Sequence, residues 1–149
     1  MDIFDVLTSD HEKVKKILEQ MERTSPKAAK RRETLLEHLS ENLLPHMYAE
    51  EEFFYQILLD ESSDKEVAYQ ALEEHRAAKA VLADLEVAPS DDPRWSARLK
   101  VLKELVEHHI EEEETTVFDL ARSLMDEERA TEVGRHFKEL KKEAPAHAM

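Results

Sequence analysis

His46-Met47-Tyr48-Ala49-Glu50-Glu51 and His109-Ile110-Glu111-Glu112-Glu113-Glu114 are two copies of one pattern, a histidine followed four and five residues later by glutamates and then by an aromatic-aliphatic stretch. Each copy has another histidine upstream, His11 lying 35 residues before His46 and His75 lying 34 before His109. The upstream surroundings match as well: Ser9-Asp10-His11 with Lys15 and Ile17-Leu18 stands against Glu73-Glu74-His75 with Lys79 and Val81-Leu82. A duplication that repeats four histidines and two glutamates predicts a site with two-fold pseudosymmetry, of the kind that holds a pair of metal ions.

The segments around these motifs read as helices. Phe4, Leu7, His11, Val14, Leu18 and Met21 recur at steps of three and four and form one stripe, which predicts a first helix over about 3–23. Thr24-Ser25-Pro26 ends it, with Ser25 as cap and Pro26 as first residue of a second helix whose seam is Leu36, Leu39, Leu43, His46, Glu50, Phe53 and Ile57. Pro45 sits in that helix, where its missing N–H predicts a kink just before His46. Ser62-Ser63-Asp64 caps a third helix carrying Ala68, Leu72, His75, Leu82 and Leu85 until Ala88-Pro89, and Asp92-Pro93 opens a fourth with Leu99, Leu102, Val106, His109, Glu113, Thr116 and Leu120. The expectation is all-α: an up-down-up-down four-helix bundle over about 3–125 with a short additional C-terminal helix over about 126–142, in one domain spanning 1–149.

Composition agrees with this and removes several classes of function. One glycine and five prolines leave little for extended loops, and no cysteine means no disulfide, thiolate metal site or cysteine nucleophile. A net charge of −14 opposes binding to phosphate backbones, so nucleic acid is not an expected partner. The acidic start Met1-Asp2-Ile3-Phe4-Asp5 and the lack of a membrane-length apolar run predict a cytoplasmic protein with no membrane association.

His-x-x-x-Glu occurs three times, at His46/Glu50, His108/Glu112 and His109/Glu113. Residues four apart share a helix face, but only the first and third pairs fall in the apolar seam, the His108 pair being turned away by roughly 100°. The ligand set predicted from the residues is therefore His11, His46, Glu50, His75, His109 and Glu113. Gathering these groups in one core is costly unless a cation compensates them. Glu51 and Glu114 read with Glu52, Glu111 and Glu112 as a solvated face, although these two recur in both halves, with hydrogen bonding to the ligands as the alternative. Lys15 and Lys79, each four residues beyond a ligand histidine, either snorkel to solvent or face the open side of the site as proton donors. His38, His136 and His147 read as surface residues, Met21 and Met47 as core. Tyr48 and Tyr55 fall roughly opposite the His46 face of a straight helix, so neither is an expected ligand.

Imidazole and carboxylate without thiolate suit iron, manganese or zinc. If Glu50 and Glu113 each bridge, every metal has four protein ligands, at which zinc could stop and beyond which iron keeps room for a small molecule.

The order His, His-x-x-x-Glu, His, His-x-x-x-Glu over four helices, with Leu44-Pro45-His46 and the paired glutamates after each second histidine, resembles the hemerythrin-like HHE cation-binding family over residues 3 to 125. The resemblance implies a non-heme pair of iron ions of the Fe–O–Fe type, ahead of manganese or zinc, with His11 and His46 on one iron, His75 and His109 on the other, and Glu50 and Glu113 bridging. It also implies a small diatomic or peroxide as ligand. Members of the family carry oxygen, sense oxygen or iron, or act in oxidative or nitrosative stress. The oxygen carriers have a fifth histidine four residues from a third-helix ligand, where this chain has Ala71 and Lys79, and an aspartate five residues after the last ligand histidine, where this chain has Glu113 at four. The symmetric set resembles instead the members that react with nitric oxide or peroxide. The leading expectation is a di-iron protein that binds dioxygen, nitric oxide or peroxide at this centre, with redox chemistry directed at peroxide or nitric oxide as its extension, that of a peroxide- or nitric-oxide-consuming oxidoreductase; an iron or oxygen sensor, or oxygen storage without turnover, is the alternative.

Overall fold

The computed structural model describes residues 1–144 and is all-helical there. Asp2 caps α1 (Ile3–Glu22) by accepting the N–H of Asp5, whose own carboxylate returns to the Asp2 N–H. Ser25 makes no side-chain cap; a short 3-10 turn (Pro26–Ala28) follows it, and α2 (Ala29–Ala49) begins after that turn. Pro45 lies inside α2, and the helix continues through it. Beyond Ala49 the rod passes through a π-helical turn (Glu50–Phe54) into α3 (Tyr55–Glu61). The third rod is α4 (Glu66–Val87). The fourth is α5 (Trp95–Glu112), which passes through a second π-helical turn (Glu113–Val117) into α6 (Phe118–Arg122). Asp126 then caps α7 (Glu127–Lys141), the additional C-terminal helix.

The alternation of the rods is visible in their cores. One apolar cluster takes Ile3–Leu7 residues from α1, Phe54 to Leu58, Ala68 and Ala71 from α4, Val117 to Ala121 and the buried face of α7. The other takes Val14, Leu18 and Met21, Leu35 to Met47, Ala78 to Leu85, and Trp95 to Ile110. Each rod therefore visits the two clusters in the order opposite to its neighbour in sequence, as antiparallel packing requires, and each passes a histidine on the way. The polar layer sits between two hydrophobic plugs.

Two anchors fix the ends. Arg32, 1% exposed, donates to Thr24 Oγ1 and O, Ser90 O and Ser96 Oγ and lies 4.1 Å from the Trp95 ring centroid, tying the α1–α2 connection to the α4–α5 connection. At the other end Gly134 brings α7 against the start of α1, where a Cβ would lie 2.8 Å from the Asp2 carbonyl carbon and 2.9 Å from the Ile3 nitrogen. Close approach, not backbone conformation, requires this glycine.

The π-helical turns correct part of the sequence reading. An i→i+5 turn inserts one residue, so every residue after it rotates by about 100° relative to a straight helix. The buried seam accordingly moves from Phe53 to Phe54 in the second rod, and from Thr116 and Leu120 to Val117 and Ala121 in the fourth. Tyr55 is likewise turned inward instead of outward.

Candidate metal centre

His11, His46, Glu50, His75, His109 and Glu113 converge in the layer between the two plugs, all buried and both glutamates with no exposed surface. They form two groups, His11/His46/Glu50/Glu113 and Glu50/His75/His109/Glu113, in each of which one donor atom per residue lies within 4.8 Å of the others. The two glutamates belong to both. Glu113 presents Oε1 at 3.1 Å from His11 Nε2 and Oε2 at 3.3 Å from His109 Nε2, while Glu50 Oε1 stands 3.2 Å from His46 Nε2 and 3.1 Å from His75 Nε2. Each carboxylate thus spans from one pair of imidazoles to the other.

The outer nitrogen of every imidazole meets a carboxylate. Nδ1 of His11 donates to Glu114 at 2.8 Å, His75 to Glu51 at 2.7 Å, His46 to Asp10 at 2.9 Å and His109 to Glu74 at 2.7 Å. Because an ionised carboxylate only accepts, these contacts fix a proton on Nδ1 and make the inward-facing Nε2 the nitrogen open to a metal. Lys79 donates to Glu51 at 3.0 Å and Lys141 of α7 to Asp10 at 2.8 Å. Lys15, the repeat partner of Lys79, stays at the surface with Glu12 3.9 Å away and does not reach the cluster.

Electrostatics follow from this packing. Burial and the adjacent Glu113 push the Glu50 carboxyl well above the ordinary carboxylate range. Burial also works against ionisation of Glu113, but Glu50, His109 and His11 beside it hold that carboxyl well below its usual value. Burial alone would lower His109; its bonds to Glu113 and Glu74 win and raise it to about 10. For Asp10, His46 and Lys141 overcome burial and hold the carboxyl at about 2. Without a cation, then, the cluster balances its carboxylates with protons. His46 Nε2 and both oxygens of Glu50 remain fully buried without a well-formed hydrogen bond, and unsatisfied groups of this kind cost about 1–3 kcal/mol each. A cation at each group would satisfy them, so the residues present fit a metal pair.

Sequence reasoning missed four neighbours of the cluster. Asp10 and Glu74 each precede a repeat histidine, and their equivalent positions were the available signal. Tyr55 Oη donates a short hydrogen bond to Glu113 Oε2 and lies 3.2 Å from His75 Nε2 and 3.3 Å from His109 Nε2. Phe137 of α7 packs edge-on to His46 with ring centroids 5.7 Å apart. His108, His38 and His136 are exposed as expected, and Met21 and Met47 are core; His147 lies outside the described residues. Among the described residues, no helix is long and apolar enough to cross a membrane.

A model of the Hemerythrin HHE cation binding domain matches residues 2–121. The chain belongs to this family. No curated protein matches it by sequence. Among solved structures, a Hemerythrin HHE cation binding domain-containing protein from Mycobacterium kansasii is similar at 20% identity and a TM-score of 0.84, covering 96% of this chain and 86% of that one. At that identity the likeness is one of fold. The family's description names a cation, and the buried histidine-glutamate layer groups side chains that could hold one.

Proposed function

We propose that residues 1–149 form a single non-heme di-iron domain, acting in the cytoplasm, that takes dioxygen, nitric oxide or peroxide at a four-histidine, two-glutamate centre and turns over peroxide or nitric oxide. The observation that carries this is the sharing of Glu50 and Glu113 between two pairs of imidazoles, since two carboxylates in common favour a pair of metals over a single one. In this reading His11 and His46 would hold one iron and His75 and His109 the other, with Glu50 and Glu113 common to both groups. Iron bound there would supply one-electron redox chemistry.

The chain's own part is to orient and to exclude. The four outer carboxylates hold the imidazoles in one tautomer, and the apolar plugs keep bulk water from the layer. Beside the four histidines lies a cavity of about 10 Å³ whose other walls are Val14, Leu43, Met47, Val106 and Ile110. That space is about what one water-sized molecule needs, which supports a small ligand over a larger substrate. The net charge of −14 supports a partner other than nucleic acid.

Stopped-flow measurement on the reduced, iron-loaded protein tests the reading. Peroxide or nitric oxide is expected to be consumed at a rate that collapses in Glu50→Ala and Glu113→Ala but not in Glu112→Ala. A long-lived spectral change with oxygen that reverses under vacuum would instead establish oxygen storage.

A further inference from the structure

The two halves of the centre are not equivalent, and the difference lies in one pair of aromatic residues. Tyr55 and Phe118 are repeat partners, each five residues beyond a cluster glutamate and each the first residue after a π-helical turn. On a straight helix five residues turn a side chain about 140° from the glutamate; the inserted residue reduces this to about 40°. Both rings therefore point into the polar layer. Phe118 brings only carbon, its ring lying nearly parallel to that of His11 with centroids 6.5 Å apart. Tyr55 brings an oxygen. It is fully buried, and its hydroxyl stands against Glu113 Oε2, His75 Nε2 and His109 Nε2, the atoms that converge on one of the two half-sites.

The spacing is that of ligands around a cation. With metal–ligand bonds of about 2.1 Å, ligands at right angles stand about 3.0 Å apart. His75 Nε2 to His109 Nε2 is 3.1 Å, and the Tyr55 hydroxyl is 3.2 and 3.3 Å from the same two nitrogens. The oxygen thus occupies a corner of the same polyhedron as the imidazoles. We infer that Tyr55 is a phenolate ligand of the metal held by His75 and His109, and that the His11/His46 metal, facing Phe118, has no counterpart. This rests on the metal-pair reading above. Coordination forms a bond from the phenolate oxygen to the cation and releases the phenolic proton to solvent, in the way a coordinating thiol loses its proton. The centre then fills one half-site from the protein and leaves the exogenous ligand to the other.

The test uses the full chain, iron-loaded and oxidised in air, with iron content measured on the same samples. The expected result is about two irons per chain and a visible phenolate-to-iron charge-transfer band, lost in Tyr55→Phe with iron content retained and unchanged in Tyr69→Phe, whose ring is on the surface. Resonance Raman excitation of that band in the unmodified protein should enhance phenolate ring modes, which decides the matter even if Tyr55→Phe folds poorly. Two irons per chain with no such modes, or a band that survives in Tyr55→Phe, overturns the assignment and leaves Tyr55 as a hydrogen-bond donor to Glu113. Failure to bind iron at all overturns the metal-pair reading and this one with it.

Discussion

Asp10 accepts Nδ1–H of His46 at 2.9 Å and at the same time receives the ammonium of Lys141, 131 residues away on the C-terminal helix. The additional helix is therefore wired to the polar layer, through a carboxylate that precedes His11 and orients the imidazole of a different rod. Glu74 holds the equivalent place before His75 and orients His109 at 2.7 Å. Removing either carboxylate frees an imidazole to rotate or change tautomer. Asp10→Asn and Glu74→Gln are each expected to weaken iron binding about 10- to 100-fold, measured by competition with a chromogenic chelator. Affinity unchanged in both would contradict the orienting role.

The protons of the metal-free cluster give a second expectation. His109, raised to about 10 by Glu113 and Glu74, is charged at neutral pH, and Glu50 carries a proton there as well. A cation must displace both, so loading the apo protein near pH 7 should release protons, read as a dependence of calorimetric heat on the ionisation enthalpy of the buffer. Both pKa values are higher folded than unfolded, so the folded apo protein binds more protons than the unfolded chain. The stability these two groups contribute should be full below their ordinary values of 4.5 and 6.5 and be lost as pH rises, through about 8 for Glu50 and about 10 for His109. Apo protein that melts higher at pH 9 than at pH 6 would show that the cluster is not balanced by protons.

Gly134 is where α7 meets α1. Its missing side chain lets the Asp2 and Ile3 backbone approach so closely that a Cβ would overlap main-chain atoms, which cannot swing aside as a flexible side chain would. Gly134→Val is expected to destabilise by about 2 kcal/mol, within the usual cost of overpacking, and to lower Tm by several degrees. Because Phe137 and Lys141 ride on the same helix, iron should also be released faster. Unchanged Tm and iron release would separate α7 from the site.

Arg32 offers the complementary case, stability without chemistry. It supplies the hydrogen bonds of Ser90 O and Thr24 O at the end of the bundle far from the histidines. Arg32→Ala leaves those carbonyls without their buried donor and should cost about 2–4 kcal/mol in denaturant unfolding, with iron content unaltered. Iron loss in proportion to the loss of stability would show that the two ends of the bundle are not independent.

The rods, their order and the six clustered side chains were legible in the sequence because each depends on local periodicity and on a pattern that occurs twice. His46 and Glu50, or His109 and Glu113, share a face on any helix. What could not be read is what tertiary packing decides. Nothing local marks Glu50–Phe54 or Glu113–Val117 as π-helical; the wider turn exists only where the surrounding rods demand it, and one inserted residue was enough to send Tyr55 into the layer and Phe53 out of its seam. Lys141 and Asp10 are too distant in the chain for any spacing rule. Asp10 and Glu74 are a different matter: both stood in matching places beside the repeated histidines, and the duplication could have assigned them.

Elemental analysis of freshly purified protein, expressed in iron-replete medium, tests the central claim most directly. Two carboxylates shared between two pairs of imidazoles predict close to two irons per chain, falling sharply in Glu50→Ala or Glu113→Ala. A single metal per chain, or zinc with no iron, would contradict it.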